Sequence, residues 1–155
     1  MTSHPSFKLS VIIASHDRRG LLSRCLRSLG EQTADPGEFE VIVAADGCGP
    51  ETERAITSLE TPFALRYLPL EKGGKSAALN AAIEVAAGRA CLFLDDDIVA
   101  APELVAGHLR GHTAENVLGI GQMKQEPPEV PDWFAEAFSR AGEEHYEELL
   151  HRPAR

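Results

Sequence analysis

Asp95, Asp96 and Asp97 stand side by side at the end of the apolar run Ala90-Cys-Leu-Phe-Leu94. Like charges at contact distance repel, and each raises the proton affinity of its neighbours. A divalent cation relieves that repulsion. Mg²⁺ and Mn²⁺ take carboxylate oxygens and share their remaining positions with phosphate oxygens and water. The triplet is therefore a candidate site for a metal that carries a diphosphate. The plainer alternative is an acidic turn capping a helix near Pro102. Position favours the site, because ligands of parallel sheets sit beyond the carboxyl ends of the strands.

Asp46 also follows a buried-looking strand and is flanked by Gly47 and Gly49. Its carboxylate suits a base N–H or a ribose hydroxyl; an Asp-Gly turn needs no ligand at all. Lys72-Gly-Gly-Lys-Ser76 invites a phosphate-loop reading, but the Walker pattern requires glycine where this chain has Leu70. What survives is a flexible turn and a helix start with two lysines, of which Lys75 is the candidate anion contact. A solvated helix start with Ser76 as a partial cap is the alternative. His16 and Asp17 lie on a strand-end loop, in reach of a base or sugar or simply as loop polarity. His108 and His112 have a zinc-compatible spacing, yet no third ligand and no zincin glutamate accompany them, so packing or surface roles are expected.

These residues need elements to hold them. Leu9–Ala14, which is rich in β-branched residues, Phe39–Ala44 and Ala90–Leu94 are short, largely apolar runs, the pattern of strands covered on both faces. A weaker strand is predicted over Ala64–Leu68. Between them, Leu21, Leu22, Cys25, Leu26 and Leu29 recur at helical spacing up to a stop at Gly30. Pro50 opens a helix to about Leu59, and an alanine-rich helix runs from the Lys75 turn to about Ala87. Strand and helix alternate through the first hundred residues, which predicts an α/β domain: right-handed βαβ units, a mainly parallel sheet and helices on both faces. Beyond it, Pro102 starts a helix and Val117–Met123 is a candidate strand. Pro127, Pro128 and Pro131 mark a loop, and Asp132 caps an amphipathic helix with Trp133, Phe134 and Phe138 as core. A separate helical piece carries Tyr146, Leu149 and Leu150, and Glu143, Glu144, Glu147 and Glu148 form a solvated face.

Composition limits the function classes. The chain has 155 residues, a net charge of -9 and 43% apolar content, the profile of an ordinary globular domain. An acidic surface disfavours nucleic acid, whose phosphates need a basic face. No apolar run approaches the roughly 18 residues that span a bilayer, and the first residues lack a secretory pattern. Cys25, Cys48 and Cys91 are odd in number and far apart, so a reduced, cytoplasmic setting is expected.

Four segments in order, Ser10-Val-Ile-Ile-Ala-Ser-His-Asp-Arg18, Phe39-Glu-Val-Ile-Val-Ala-Ala-Asp-Gly-Cys48, Gly73-Gly-Lys-Ser-Ala-Ala-Leu-Asn80 and Cys91-Leu-Phe-Leu-Asp-Asp-Asp97, resemble the family 2 glycosyltransferases. The resemblance runs over about residues 8–125. It implies a Rossmann-like GT-A domain that binds a nucleoside diphosphate sugar, a UDP-sugar being favoured. By the family's D-x-D motif, Asp97 holds Mg²⁺ or Mn²⁺, Asp95 contacts the ribose and Asp96 belongs to the donor site. Asp46 matches the base-contacting aspartate, Ala14, Ser15 and His16 the pocket lining, and Lys75 the Gly-Lys segment. The chain departs from the pattern in having Ala14-Ser15-His16-Asp17 for the usual Pro-Thr-Tyr-Asn, and Ala45 for the first of two strand-end aspartates. The family's downstream Glu-Asp base and Gln-x-x-Arg-Trp segment have no counterpart before Arg155.

The expected organisation is a tail over 1–7, a truncated donor domain over 8–125 and the start of an acceptor-side helical region over 126–155. The expected activity is inverting transfer of a sugar to a hydroxyl of a saccharide or lipid-linked acceptor, in the cytoplasm or at the inner face of the membrane. Two alternatives stand beside it: a nucleotide-sugar-binding or interaction module without the base, and a phosphoacceptor receiver. The receiver pattern wants an acidic pair after the first strand, where this chain has only Asp17.

Overall fold

The computed structural model of the chain describes residues 7–112, 117–124 and 133–151. Two compact units divide the chain, Met1–Gly119 and Ile120–Arg155.

The first unit is built on four parallel strands, β1 (Phe7–Ser15), β2 (Phe39–Asp46), β3 (Ala64–Leu70) and β4 (Gly88–Asp95), in the spatial order β3-β2-β1-β4. Its helices are α1 (Arg19–Gly30), α2 (Pro50–Thr57), α3 (Lys75–Val85) and α4 (Leu104–Gly111). The central strands are covered on both sides: Leu9 to Ile13 and every residue of β2 are buried. Alternation along the pleat sends Leu9, Val11, Ile13, Val41 and Val43 to one face, where they pack with Leu22, Cys25, Leu26 and Leu29 of α1, Ile56 of α2 and Val105 of α4. Ile12, Ile42 and Ala44 face the other way, onto Ala78 and Ala82 of α3. The small alanines let α3 lie close to the sheet. The expected α/β class with helices on both faces is the observed one.

This order has a consequence for the site. The chain steps outward from β1 to β2 to β3 with α1 and α2 on one face, then returns across the other face through α3 to place β4 beside β1. Crossovers therefore diverge at the β1–β4 seam, and the crevice opens beyond the carboxyl ends of those two strands.

A polar network fastens the opposite end of the same seam. The buried Glu40 accepts from Ser10 Oγ at 2.7 Å and from the Ala87 amide at 2.6 Å, with Arg66 Nη2 3.8 Å from its second oxygen. Ser10 Oγ in turn accepts from the Gly88 amide at 2.8 Å. A Cβ at Gly88 would sit 2.4 Å from the Ser10 nitrogen and 2.6 Å from Ser10 Oγ, so only glycine lets β4 start this close to β1.

Several local expectations are corrected. β3 extends to Leu70, through Pro69, which an edge strand tolerates. Gly74, at φ +89°, and not Ser76, occupies the cap position of α3. A 3-10 turn, Pro36–Glu38, capped by the Asp35 side chain, precedes β2 unannounced. Residues 117–123 form no strand, and Leu118, Ile120 and Met123 are exposed. An apolar run spaced by Gly119 and Gly121 has strand-like content but becomes a strand only with a partner to pair with.

In the second unit, one continuous helix, α5 (Trp133–Leu150), replaces the two expected pieces. Gly142 does not break it, because a helix-interior glycine costs only about 1 kcal/mol. Trp133 and Phe138 are 78% and 63% exposed, so these two are not core. Helical spacing marks an apolar stripe without saying what covers it. The expected cap Asp132, the prolines at 127, 128 and 131, and the side chains of Phe134 and Leu149 lie outside the described residues.

Candidate active site

β1, β2 and β4 all deliver polar residues to the same end of the sheet. A cleft of about 270 Å³ there is lined by Ala14, Ser15, His16, Arg18, Asp46, Lys75, Asp95, Asp96 and Asp97. The eight residues that the family resemblance assigns to the donor and metal site all line it, although 83 positions separate Ala14 from Asp97 in the chain. Arg18 was assigned no role from the sequence.

Asp95 ends β4, Asp96 and Asp97 lie on the turn that follows, and the three carboxylates have three different environments. Asp96 is buried, 4% exposed, and receives Ser15 Oγ at 2.6 Å and Arg18 Nη1 at 2.9 Å. Those contacts tie the turn after β4 to the end of β1, which makes Asp96 a positioning group. Asp97 is 43% exposed and receives Arg18 Nη2 at 3.0 Å. Asp95 faces Lys75 Nζ at 2.5 Å. The repulsion within the triplet is thus offset in part by the chain's own cations, Arg18 and Lys75. Arg18 lies within reach of Asp96 and Asp97, and its hydrogen bond to Asp97, then the charge of Asp96, hold its proton more firmly than usual.

Asp46 grips the neighbouring glycine turn. Its Oδ1 accepts the amides of Gly73 at 2.6 Å and Gly74 at 3.1 Å, and Oδ2 also accepts Gly74 at 3.1 Å. The Gly73 amide is the chief reason its pKa lies below the usual carboxylate range. This hold sets the start of α3 and aims Lys75 toward Asp95. Gly47, at φ +66°, brings the β2 loop so near that a Cβ there would lie 2.8 Å from Lys72 Cβ. The Asp46 carbonyl meets His16 Nδ1 at 2.5 Å.

The loop that carries His16 and Arg18 is braced from β2. Asp17 adopts φ +50°, a left-handed conformation that an aspartate tolerates. Its carboxylate accepts the Gly49 amide at 3.1 Å, and Cys48 Sγ lies 3.3 Å from the Ser15 carbonyl. Cys48 thus has a bracing position in the loop, and burial pushes its thiol pKa up. Cys25, beneath the triplet on α1, is raised to about 12, by burial first and the charges of Asp96 and Asp97 next. All three cysteines are free. His108 on α4 and His112, the residue that caps its C-terminus, stack on each other, rings 5.6 Å apart.

Sequence reasoning missed Arg18 and the two glycine amides. The signal for Arg18 was present: a cation three residues past a strand end, in a chain with an acidic triplet at another strand end. Pairing the two requires knowing that β1 and β4 are neighbours. Asp97 supplies a hard oxygen donor at the cleft mouth. Mg²⁺ and Mn²⁺ are held by one or two carboxylates together with phosphate oxygens and water, so the donor set fits a cation that arrives with a diphosphate. Among the described residues no group of three His, Cys, Asp or Glu stands together for a bare ion.

The family model described as glycosyl transferase family 2 matches residues 10–149. The chain belongs to that family. Membership removes the receiver alternative. Validoxylamine A glucosyltransferase from Streptomyces hygroscopicus subsp. limoneus is 35% identical over 124 residues, 76% of this chain but 27% of that protein. Staphylococcus aureus TarS 1-349 superposes with a TM-score of 0.63 at 26% identity, covering 80% of this chain and 42% of that one; the same fragment is also known in complex with UDP-GlcNAc. The Pyrobaculum calidifontis mannosyltransferase PcManGT, in complex with GDP-Man and Mn²⁺, shares the fold with a TM-score of 0.66 at 22% identity, over 78% of this chain and 37% of its own. This family 2 chain therefore spans less than half the length of each. Among its described residues no helix is long and apolar enough to cross a membrane.

Proposed function

We propose that the cleft binds a nucleoside diphosphate sugar and that the family 2 domain over 8–125 serves as the donor side of a glycosyltransferase. The observation that carries this is the convergence of Ala14, Ser15, His16, Asp46, Lys75 and the triplet on one cleft at the β1–β4 seam. Ala14, Ser15, His16 and Asp46 form the base end, Asp46 presenting the Gly73–Gly74 turn. Asp95 meets the ribose. Lys75 supplies a cation for the diphosphate, against which its pairing with Asp95 must exchange. Asp96 holds the turn in place. Asp97 holds Mg²⁺ or Mn²⁺, which when bound stabilises charge on the leaving diphosphate. A UDP-sugar is the favoured donor, in line with the TarS complex.

The four cleft carboxylates are each assigned to the donor side. The base that takes the proton of the acceptor hydroxyl in an inverting displacement is therefore left to a residue outside this set. The region over 126–155 begins the acceptor side, toward a saccharide or lipid-linked hydroxyl on the cytoplasmic side of the membrane. The second reading, a binding module without turnover, rests on that same assignment of all four carboxylates.

Thermal unfolding with UDP and Mn²⁺ tests the binding. A ligand at 100 times its dissociation constant adds about 2.7 kcal/mol to the folded state, a readily measured rise in melting temperature. Asp97→Asn is expected to abolish the Mn²⁺-dependent part of the rise and keep a smaller UDP part. An undiminished rise in the variant refutes the metal role of Asp97. Release of UDP from UDP-sugars separates the enzyme from the module.

A further inference from the structure

We infer that Arg18 is a resident counter-cation of the triplet, which competes with the divalent metal for Asp97 and keeps metal affinity low until a diphosphate arrives. The inference rests on the reading that Asp97 is the metal ligand, and it concerns a residue to which that reading gives no role. Three observations carry it. First, the guanidinium forks across the turn, one nitrogen 2.9 Å from Asp96 and the other 3.0 Å from Asp97, so it already fills a position between two carboxylates. Second, the backbone that carries the fork is held in place. Asp17 at φ +50° is held by Gly49 and Thr52, and Arg18 is the N-cap residue of α1, its carbonyl accepting the Leu22 amide at 3.0 Å. Third, the two halves of the fork differ. Asp96 is buried and also bound by Ser15, whereas Asp97 and the Arg18 side chain are 43% and 49% exposed.

The half facing Asp97 is therefore the one that yields. In water an exposed ion pair is worth little, so a dication backed by diphosphate oxygens displaces it at small cost. A bare dication lacks those oxygens. It meets an Asp97 already neutralised and a positive charge a few ångströms away, and its affinity falls. Arg18 remains anchored on Asp96 after the exchange, with Nη2 turned into the cleft, where a planar fork suits phosphate.

The test measures binding of Mn²⁺ alone, from the electron paramagnetic resonance signal of the free ion, on the full chain. Arg18→Gln is expected to bind Mn²⁺ about tenfold more tightly than the parent, the size of a unit charge acting on a dication about 5 Å away in water. Arg18→Lys keeps the charge and is expected to stay within about threefold of the parent. Arg18→Gln combined with Asp97→Asn loses the gain. Arg18→Met, which keeps the packing stem, repeats the expectation should glutamine disturb the loop. Unchanged or weaker Mn²⁺ binding in Arg18→Gln and Arg18→Met overturns the competition, as does an equal gain in Arg18→Lys. If UDP–Mn²⁺ binding still depends on Asp97 in that case, only this inference fails. If no protein binds Mn²⁺ with or without UDP, the metal reading fails and this inference with it.

Discussion

Asp96→Asn examines whether the middle aspartate holds the site together. The substitution keeps size and shape and removes one charge. Asp96 is 4% exposed, so its two contacts are felt in a poorly solvated place. The Ser15 hydroxyl donates to it at 2.6 Å, and hydrogen bonds to a charged group contribute about 1.5–3 kcal/mol. The Arg18 pair adds little, because its guanidinium is half exposed and screened. An asparagine can satisfy Ser15 with its oxygen, but then its amide nitrogen opposes the Arg18 donor. The net expectation is a loss of about 2 kcal/mol. For a domain of this size that lowers the melting temperature by about 4–8 °C. Urea and thermal unfolding measure it, and a double-mutant cycle with Ser15→Ala isolates the contact, with an expected coupling above about 1 kcal/mol. UDP–Mn²⁺ binding should fall as well, because Asp95 and Asp97 flank the released turn. A loss under about 0.5 kcal/mol, or no coupling to Ser15, refutes the positioning role.

At the other end of the seam, Gly88→Ala places a Cβ 2.4 Å from the Ser10 nitrogen, where neither backbone can retreat without breaking pairing. Overpacking of this kind costs about 1–3 kcal/mol, and urea unfolding should show it with UDP binding reduced in parallel; an unaltered midpoint argues against the close approach. His108 titrates below its ordinary 6.5, chiefly from burial and then from the charge of His112. Its unfolded form therefore binds protons first, and stability is lost as pH falls below about 6.5. His108→Gln should flatten the pH dependence of the unfolding free energy between about pH 7 and 5, and an unchanged slope would remove burial as its cause.

Strand content, helix spacing and the four motif segments were legible in the sequence because they are local. A β-branched run that is apolar on both faces, as in Leu9–Ile13, announces a covered strand, and Leu22 to Leu29 announce the helix that covers it. The parallel α/β class and the strand-end position of the aspartates followed from the alternation alone. The run at 117–123 misled because apolar content does not supply a pairing partner, and Trp133 and Phe138 misled because a stripe does not supply its cover.

What the chain order could not determine is which strand ends meet. That β4 returns beside β1, across the face opposite α1 and α2, is a property of the assembled sheet. Only that return sets Ser15 and Arg18 against Asp96 and Asp97, while the pairing of β2 with β3, Asp46 opposite Leu70, brings Asp46 to the Gly73–Gly74 turn. The identities of the charged groups are written in the sequence, but their pairing depends on distances of about 3 Å between residues up to 79 positions apart. Hydrogen bonds and ion pairs decay over such short distances that topology, and not composition, decides which of these charges neutralise one another.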